Sequence, residues 1–132
     1  MLPFRVSLDP GESPFRQTVF AATRAIVSGE LGEGDAFPSV RDLSQALRIN
    51  PNTAHKVVAE LIRQGLLEAR PGIGTVVAAG RPPTPEEREA LLSNEVEALV
   101  VEARRLRLTR DQLHEAVDTH WDDLSGACDD PA

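Results

Sequence analysis

Apolar positions in the first part of the chain fall into three runs with the period of an α-helix. Phe15, Val19, Ala22 and Ile26 step by 4, 3 and 4 along one helical face, behind a Ser13-Pro14 pair suited to a helix cap and first turn. Gly29 ends that run, and Gly32 and Gly34 mark a loop. Ser39 is placed to cap a second, short helix, with Asp42 in its first turn and Leu43 and Leu47 on its buried side. Asn50-Pro51 opens a third, which the pattern carries to about Gln64 before Gly65. Its predicted buried face is Ala54, Val57, Val58, Leu61 and Ile62. Two short apolar strands follow, 66–70 and 75–78, around a Pro71-Gly72-Ile73-Gly74 turn. A mostly α fold with a small β-hairpin wing, in that chain order, is a winged helix-turn-helix domain.

After Gly80 the pattern changes. Pro82, Pro83 and Pro85 argue for an extended spacer over 81–85. The expected organisation is a winged helix-turn-helix domain over 1–80, that linker, a helical segment over 86–124 and an acidic flexible tail over 125–132. In the helical segment Leu92, Val96, Leu99, Ala103 and Leu106 step by 4, 3, 4 and 3, a heptad-like seam rather than a broad globular face. Thr109-Arg110-Asp111-Gln112 fits a capping box for a last helix, whose stripe is Leu113, Ala116, Val117, His120, Trp121 and Leu124. Two such helices cannot bury both stripes alone, which predicts a homodimer closed by Leu92, Val96, Leu99, Ala103, Leu106, Leu113, Val117 and Trp121.

Charge changes this picture less than its total suggests. The 132 residues carry a net charge of -7, but residues 1–80 balance eight basic against eight acidic side chains, so all of the excess lies behind Gly80. The front domain is free to present a basic face while the back repels polyanions. No apolar run reaches the ~20 residues of a membrane span, and no signal-peptide core follows Met1. Together with the single Cys128, this points to a cytoplasmic protein in a reducing compartment.

The stretch from Ser13 to Ala78 resembles the DNA-binding domain of GntR-type bacterial regulators. The resemblance is carried by Ser13-Pro14-Phe15-Arg16-Gln17, Ile26-Val27-Ser28-Gly29-Glu30-Leu31, Gly34-Asp35 and Phe37-Pro38-Ser39-Val40-Arg41-Asp42-Leu43. It continues through Asn50-Pro51-Asn52-Thr53, Glu60-Leu61, Gly65-Leu66-Leu67 and Gly72-Ile73-Gly74-Thr75-Val76-Val77. The short two-helix tail is similar to that of the YtrA-type subfamily. The resemblance implies DNA contact from Arg41, in the Pro-Ser-x-Arg segment that contains Ser39, and from Asn50, Asn52, Thr53, His55 and Lys56 at the start of the third helix. It also implies contact at the wing through Gly72, with Arg70 at its base. These residue types are suited to reading DNA, because arginine grips guanine or phosphate with two N–H groups, asparagine reads adenine, and threonine offers a hydroxyl and a methyl. Pro51 and Ile73 depart from the family pattern, each removing a polar or basic contact.

The resulting expectation is a sequence-specific transcription regulator, a repressor of a nearby operon, bound as a homodimer to an inverted-repeat operator in double-stranded DNA. No cofactor is required. A small-molecule effector is left open; the back segment looks too small to enclose the usual ~300 Å³ within one chain, which would place any effector at a dimer interface or a domain junction. The rival reading is a winged-helix adaptor that binds protein instead of DNA. His114, Asp118 and His120 do not share one helix face and have no cysteine to complete a metal shell. Enzyme chemistry finds neither a phosphate-cradling loop after a strand nor a paired nucleophile and base.

Overall fold

A computed structural model of the chain describes residues 2–125; Cys128 and most of the acidic tail read over 125–132 lie outside the described residues. The chain divides into two compact units, one formed by residues 2–80 and the other by Arg81–Leu124.

The first unit holds α1 (Pro14–Val27), α2 (Val40–Leu47), α3 (Pro51–Arg63) and an antiparallel hairpin of β1 (Leu67–Arg70) and β2 (Gly74–Val77). Each helix starts on the cap its sequence announces. Ser13 Oγ accepts from the Arg16 N–H (3.2 Å), Ser39 Oγ from the Asp42 N–H (3.0 Å) and Asn50 Oδ1 from the Asn52 N–H (2.7 Å). Each cap satisfies one of the four N–H groups that a helix start leaves unpaired. Arg48 takes the left-handed conformation (φ 55°, ψ 46°) at the end of α2 and turns the chain into α3.

The core lies where α1, α3 and the hairpin meet. Thr18, Ala22 and Ala25 of α1 are buried, as are Ala54, Val57, Val58 and Leu61 of α3; Leu43, Leu67 and Val77 close it. Small residues on both helices let the backbones approach closely. The buried face of α1 is therefore rotated from the Phe15–Ile26 stripe: Phe15, Val19 and Ile26 pack against the core only half-buried. Ile62 is corrected outright, since at 39 % exposure it lies off the core face that Leu61 occupies. One residue is about 100° of helical rotation, enough to move a side chain from core to solvent.

Two contributors to this unit lie outside the periodic pattern. Phe4, ahead of the first helix, is buried and stacks on Phe37 with ring centroids 5.6 Å apart. The segment before α2 also runs along the outer edge of β2: the Phe37 N–H donates to Thr75 O (2.9 Å) and the Val77 N–H to Asp35 O (2.9 Å). The hairpin is thereby tied to the start of α2.

In the second unit α4 (Pro85–Ala90), a π-helical turn (Leu91–Glu95) and α5 (Val96–Arg105) follow one another directly, and α6 (Arg110–Ser125) comes after a tight bend. The linker read over 81–85 ends sooner than expected. Thr84 caps α4 with Pro85 as its first residue, and Glu87 completes a reciprocal capping box. A proline that cannot continue a helix is well suited to begin one. The π turn inserts an extra residue, and the Val96 N–H donates to Leu91 O. Leu91 thus joins the expected seam as the axial neighbour of Val96.

Arg107 (φ 61°) supplies the left-handed residue of the bend. The Leu108 N–H donates back to Ala103 O (2.9 Å) and the Arg107 N–H to Arg104 O (3.1 Å), and the Thr109–Gln112 capping box then starts α6. Of the seam residues only Ala103 is buried within the single chain. The bend encloses an open cleft of about 590 Å³ lined by Val100, Ala103, Leu108 and Leu113 and rimmed by Arg104, Arg107 and Arg110. That space is an open cleft without a surrounding wall, not a pocket enclosed within one chain.

Candidate nucleic-acid interface

Helix α2, the left-handed turn at Arg48 and helix α3 form a helix-turn-helix whose geometry rests on Leu43 and Leu61, both fully buried. It leaves outside most of the side chains that the sequence resemblance implies for this motif. Arg41, Asn52, His55 and Lys56 are exposed, and Thr53 is half-buried beside Ala54. Arg41 and Lys56 have no ion-pair partner among the described residues. Asn50 commits its carbonyl oxygen to the cap and keeps its amide N–H groups for a partner. Ser39 accepts at its cap and keeps a hydroxyl proton to donate.

Charge is graded along α3. Near its start Lys56 is unpaired, whereas at its end Arg63 donates to Glu60 through two N–H groups at 3.0 and 2.5 Å, and Gln64 adds a third bond at 2.6 Å. These donors, Arg63 first and Gln64 second, lower the Glu60 pKa to about 2. The C-terminal end of α3 is thus internally neutralised. Its N-terminal half carries a free cation and the positive end of the helix dipole, which favour phosphate.

The wing leaves β1 at Arg70 and re-enters β2 at Gly74, its register partner. Between them the Ile73 N–H donates to Arg70 O (3.0 Å), with Pro71 second and Gly72 third (φ 78°), the pattern of a type II turn. Gly72 is required by this backbone conformation rather than by packing, since a Cβ there would meet nothing within 4 Å. Arg70, expected as a DNA contact at the wing base, donates from Nε to Glu68 at 2.7 Å. A cleft of about 900 Å³, open to solvent, brings the wing tip (Ile73, Gly74) and the N-terminal turn of α2 (Ser39, Asp42) to one side of the unit.

In the second unit Leu92, Val96, Leu99, Leu106, Val117 and Trp121 are exposed, and Leu113 is half-buried. Among the described residues no group of three or more His, Cys, Asp or Glu could hold a metal ion, and no helix is long and apolar enough to cross a membrane.

Residues 16–77 match the profile of the family described as "Bacterial regulatory proteins, gntR family". The chain is 33 % identical over 94 residues to YhcF of Bacillus subtilis, described as an uncharacterized HTH-type transcriptional regulator; the match covers 71 % of this chain and 78 % of YhcF. It is 27 % identical over 124 residues to the HTH-type transcriptional repressor YtrA of the same organism, covering 92 % of this chain and 95 % of YtrA. Its fold is similar to the crystal structure of a transcriptional antiterminator from Listeria monocytogenes (TM-score 0.81, 24 % identity, 94 % of this chain and 93 % of that one).

Proposed function

The chain belongs to the gntR family of bacterial regulatory proteins, with the short YtrA-type build, and from that premise we propose that it represses a nearby operon as a homodimer on an inverted-repeat operator. Members of this family are DNA-binding regulators of transcription rather than enzymes. Two copies of α3 enter successive major grooves on one face of the duplex, and the wings lie over the flanking minor grooves.

The observation that carries this reading is a helix-turn-helix that leaves Arg41 in the first turn of α2 and Asn52, His55 and Lys56 in the first half of α3 exposed. Arg63 and Arg70 are tied to neighbouring glutamates, whereas Arg41 at the start of α2 and Lys56 in the first half of α3 have no ion-pair partner among the described residues. Arg41 grips guanine or phosphate, Asn52 and Thr53 meet base edges, and Lys56 and His55 meet the backbone. Ser39 and the first turn of α2 hold a phosphate.

Dimerisation rests on the second unit. Leu92, Val96, Leu99 and Leu106 with Val117 and Trp121 form exposed apolar stripes on helices whose other faces are charged, a pattern that a second copy satisfies. The relationship to YtrA, a named repressor, over nearly the whole chain supports repression as the sign of regulation.

The test is a salt titration against duplex DNA. A DNA reader releases counterions on binding, so log affinity should fall linearly with log salt concentration. Absence of binding to any duplex at low salt would leave a protein-binding adaptor in its place.

A further inference from the structure

The wing of this chain carries no net charge. Between Leu66 and Ala78 the ionisable side chains are Glu68 and Arg70, two positions apart on β1 and joined at 2.7 Å. Even if Arg70 turns towards a phosphate, Glu68 stays beside it and offsets the attraction. A wing built in this way cannot owe its DNA contact to electrostatics.

What the wing presents is Ile73. Its side chain is 71 % exposed, at the tip of the turn, between two glycines at φ 78° and φ 115°. A Cβ at either glycine would meet nothing within 4 Å, so the tip is a single branched side chain on a narrow, unobstructed backbone. Ile73 also borders the cleft that contains Ser39, which puts it on the side of the unit where α2 begins. Isoleucine is stiff about χ1 and loses little freedom when it is inserted.

We propose that Ile73 is a specificity-determining residue, an apolar probe that enters the minor groove flanking each half-site and rejects G·C pairs there. This rests on the DNA-reading function proposed above. The minor groove is about 6 Å wide, and its floor shows acceptors at every pair, but a G·C pair adds the guanine N2 amino group, a donor standing up from the floor. An alkyl side chain pressed onto that amino group strips its water and offers no acceptor in return. At an A·T pair the amino group is absent, the probe sits deeper, and no donor is stranded. The wing thus reads its flank by exclusion.

The experiment uses the full-length protein and an operator selected from a random duplex pool, with the base pairs beneath the wing located by hydroxyl-radical footprinting. Those pairs are then made A·T, G·C or inosine·cytosine, and affinities are measured by fluorescence anisotropy. Inosine·cytosine keeps the major-groove face of G·C but lacks the N2 amino group. The wild-type chain should bind A·T and inosine·cytosine duplexes about fivefold or more tighter than G·C. Ile73→Ala should bring the three within about twofold, and its exposed position leaves the fold intact. Ile73→Arg should strengthen binding to all three and steepen the salt dependence by about one phosphate contact. Equal wild-type affinity for G·C and inosine·cytosine, or a preference that survives Ile73→Ala, would overturn the inference while DNA binding stands. A wild-type chain that bound no duplex would overturn the proposed function and this inference together.

Discussion

Replacing Arg48 with glycine should stabilise the protein, although it removes a charged side chain and adds no contact. Arg48 sits at φ 55° and ψ 46° where α2 turns into α3, and its backbone N–H and that of Ile49 both donate to Ser44 O. For a residue with a Cβ this conformation costs about 1–2 kcal/mol. Glycine escapes that cost but gives back about 0.5–1 kcal/mol through the greater freedom of the unfolded chain. The net gain is on the order of 0.5–1 kcal/mol. For a unit of about 80 residues that corresponds to a rise in Tm of roughly 2–8 °C. Arg48→Ala serves as the control, because it removes the same exposed side chain while keeping the backbone penalty. Thermal unfolding of the three proteins at one fixed concentration, so that any association contributes equally, makes the measurement. A glycine variant no more stable than the alanine variant would refute backbone strain at this turn.

Arg41→Ala should weaken specific binding by about 1–3 kcal/mol and relax the preference at one position of each half-site if the contact is to a base; if it is to phosphate, every sequence should weaken alike and the salt slope should shrink. Competition binding at two salt concentrations separates these outcomes. Leu99→Asp places a charge in the exposed seam of α5, and sedimentation should show a dimer for the wild-type chain and a folded monomer for the variant. Glu87, held by Arg81 and by the Thr84 backbone N–H, has its pKa lowered from an ordinary 4.5 to about 2. Its contribution to the start of α4 should therefore be complete above pH 4.5 and fade as the pH falls through about 2. NMR titration of the Glu87 carboxyl reads this directly, and Glu87→Gln should remove that part of the acid dependence.

Much of the architecture was legible because its signals are local. Ser13, Ser39, Asn50 and Thr109 announce helix starts through side chains that bond a backbone N–H two or three residues on, and the structure places all four caps. Where the structure departs from the sequence pattern, the deciding interaction is mostly distant along the chain. Nothing near Phe4 indicates that it will stack on Phe37, thirty-three positions away. Nothing around Asp35 shows that its carbonyl will accept from Val77. The Thr84–Glu87 capping box is local, but it stands inside a run of prolines that reads as a spacer.

The candidate site was legible as chemistry but not as pairing. Arg41, Asn52 and Lys56 stand out by residue type and spacing. That Arg63 and Arg70 are occupied by Glu60 and Glu68 follows only from side-chain geometry. The neutrality of the wing, on which the role assigned to Ile73 depends, is visible in composition yet carries meaning only because the tip is exposed.

Helical phase is the sharpest test of whether two identical α3 helices read one duplex face together. Affinity is measured for the selected operator and for versions with about five or about ten base pairs inserted between its half-sites. Half a turn carries the second major groove to the opposite face, whereas a full turn of ~10 base pairs returns it. Tight binding should be lost with the shorter insertion, by ~10²-fold or more as the second contact ceases to be intramolecular, and should partly recover with the longer one. Equal affinity for all three duplexes, with a footprint covering a single asymmetric site, would contradict a symmetric dimer on DNA.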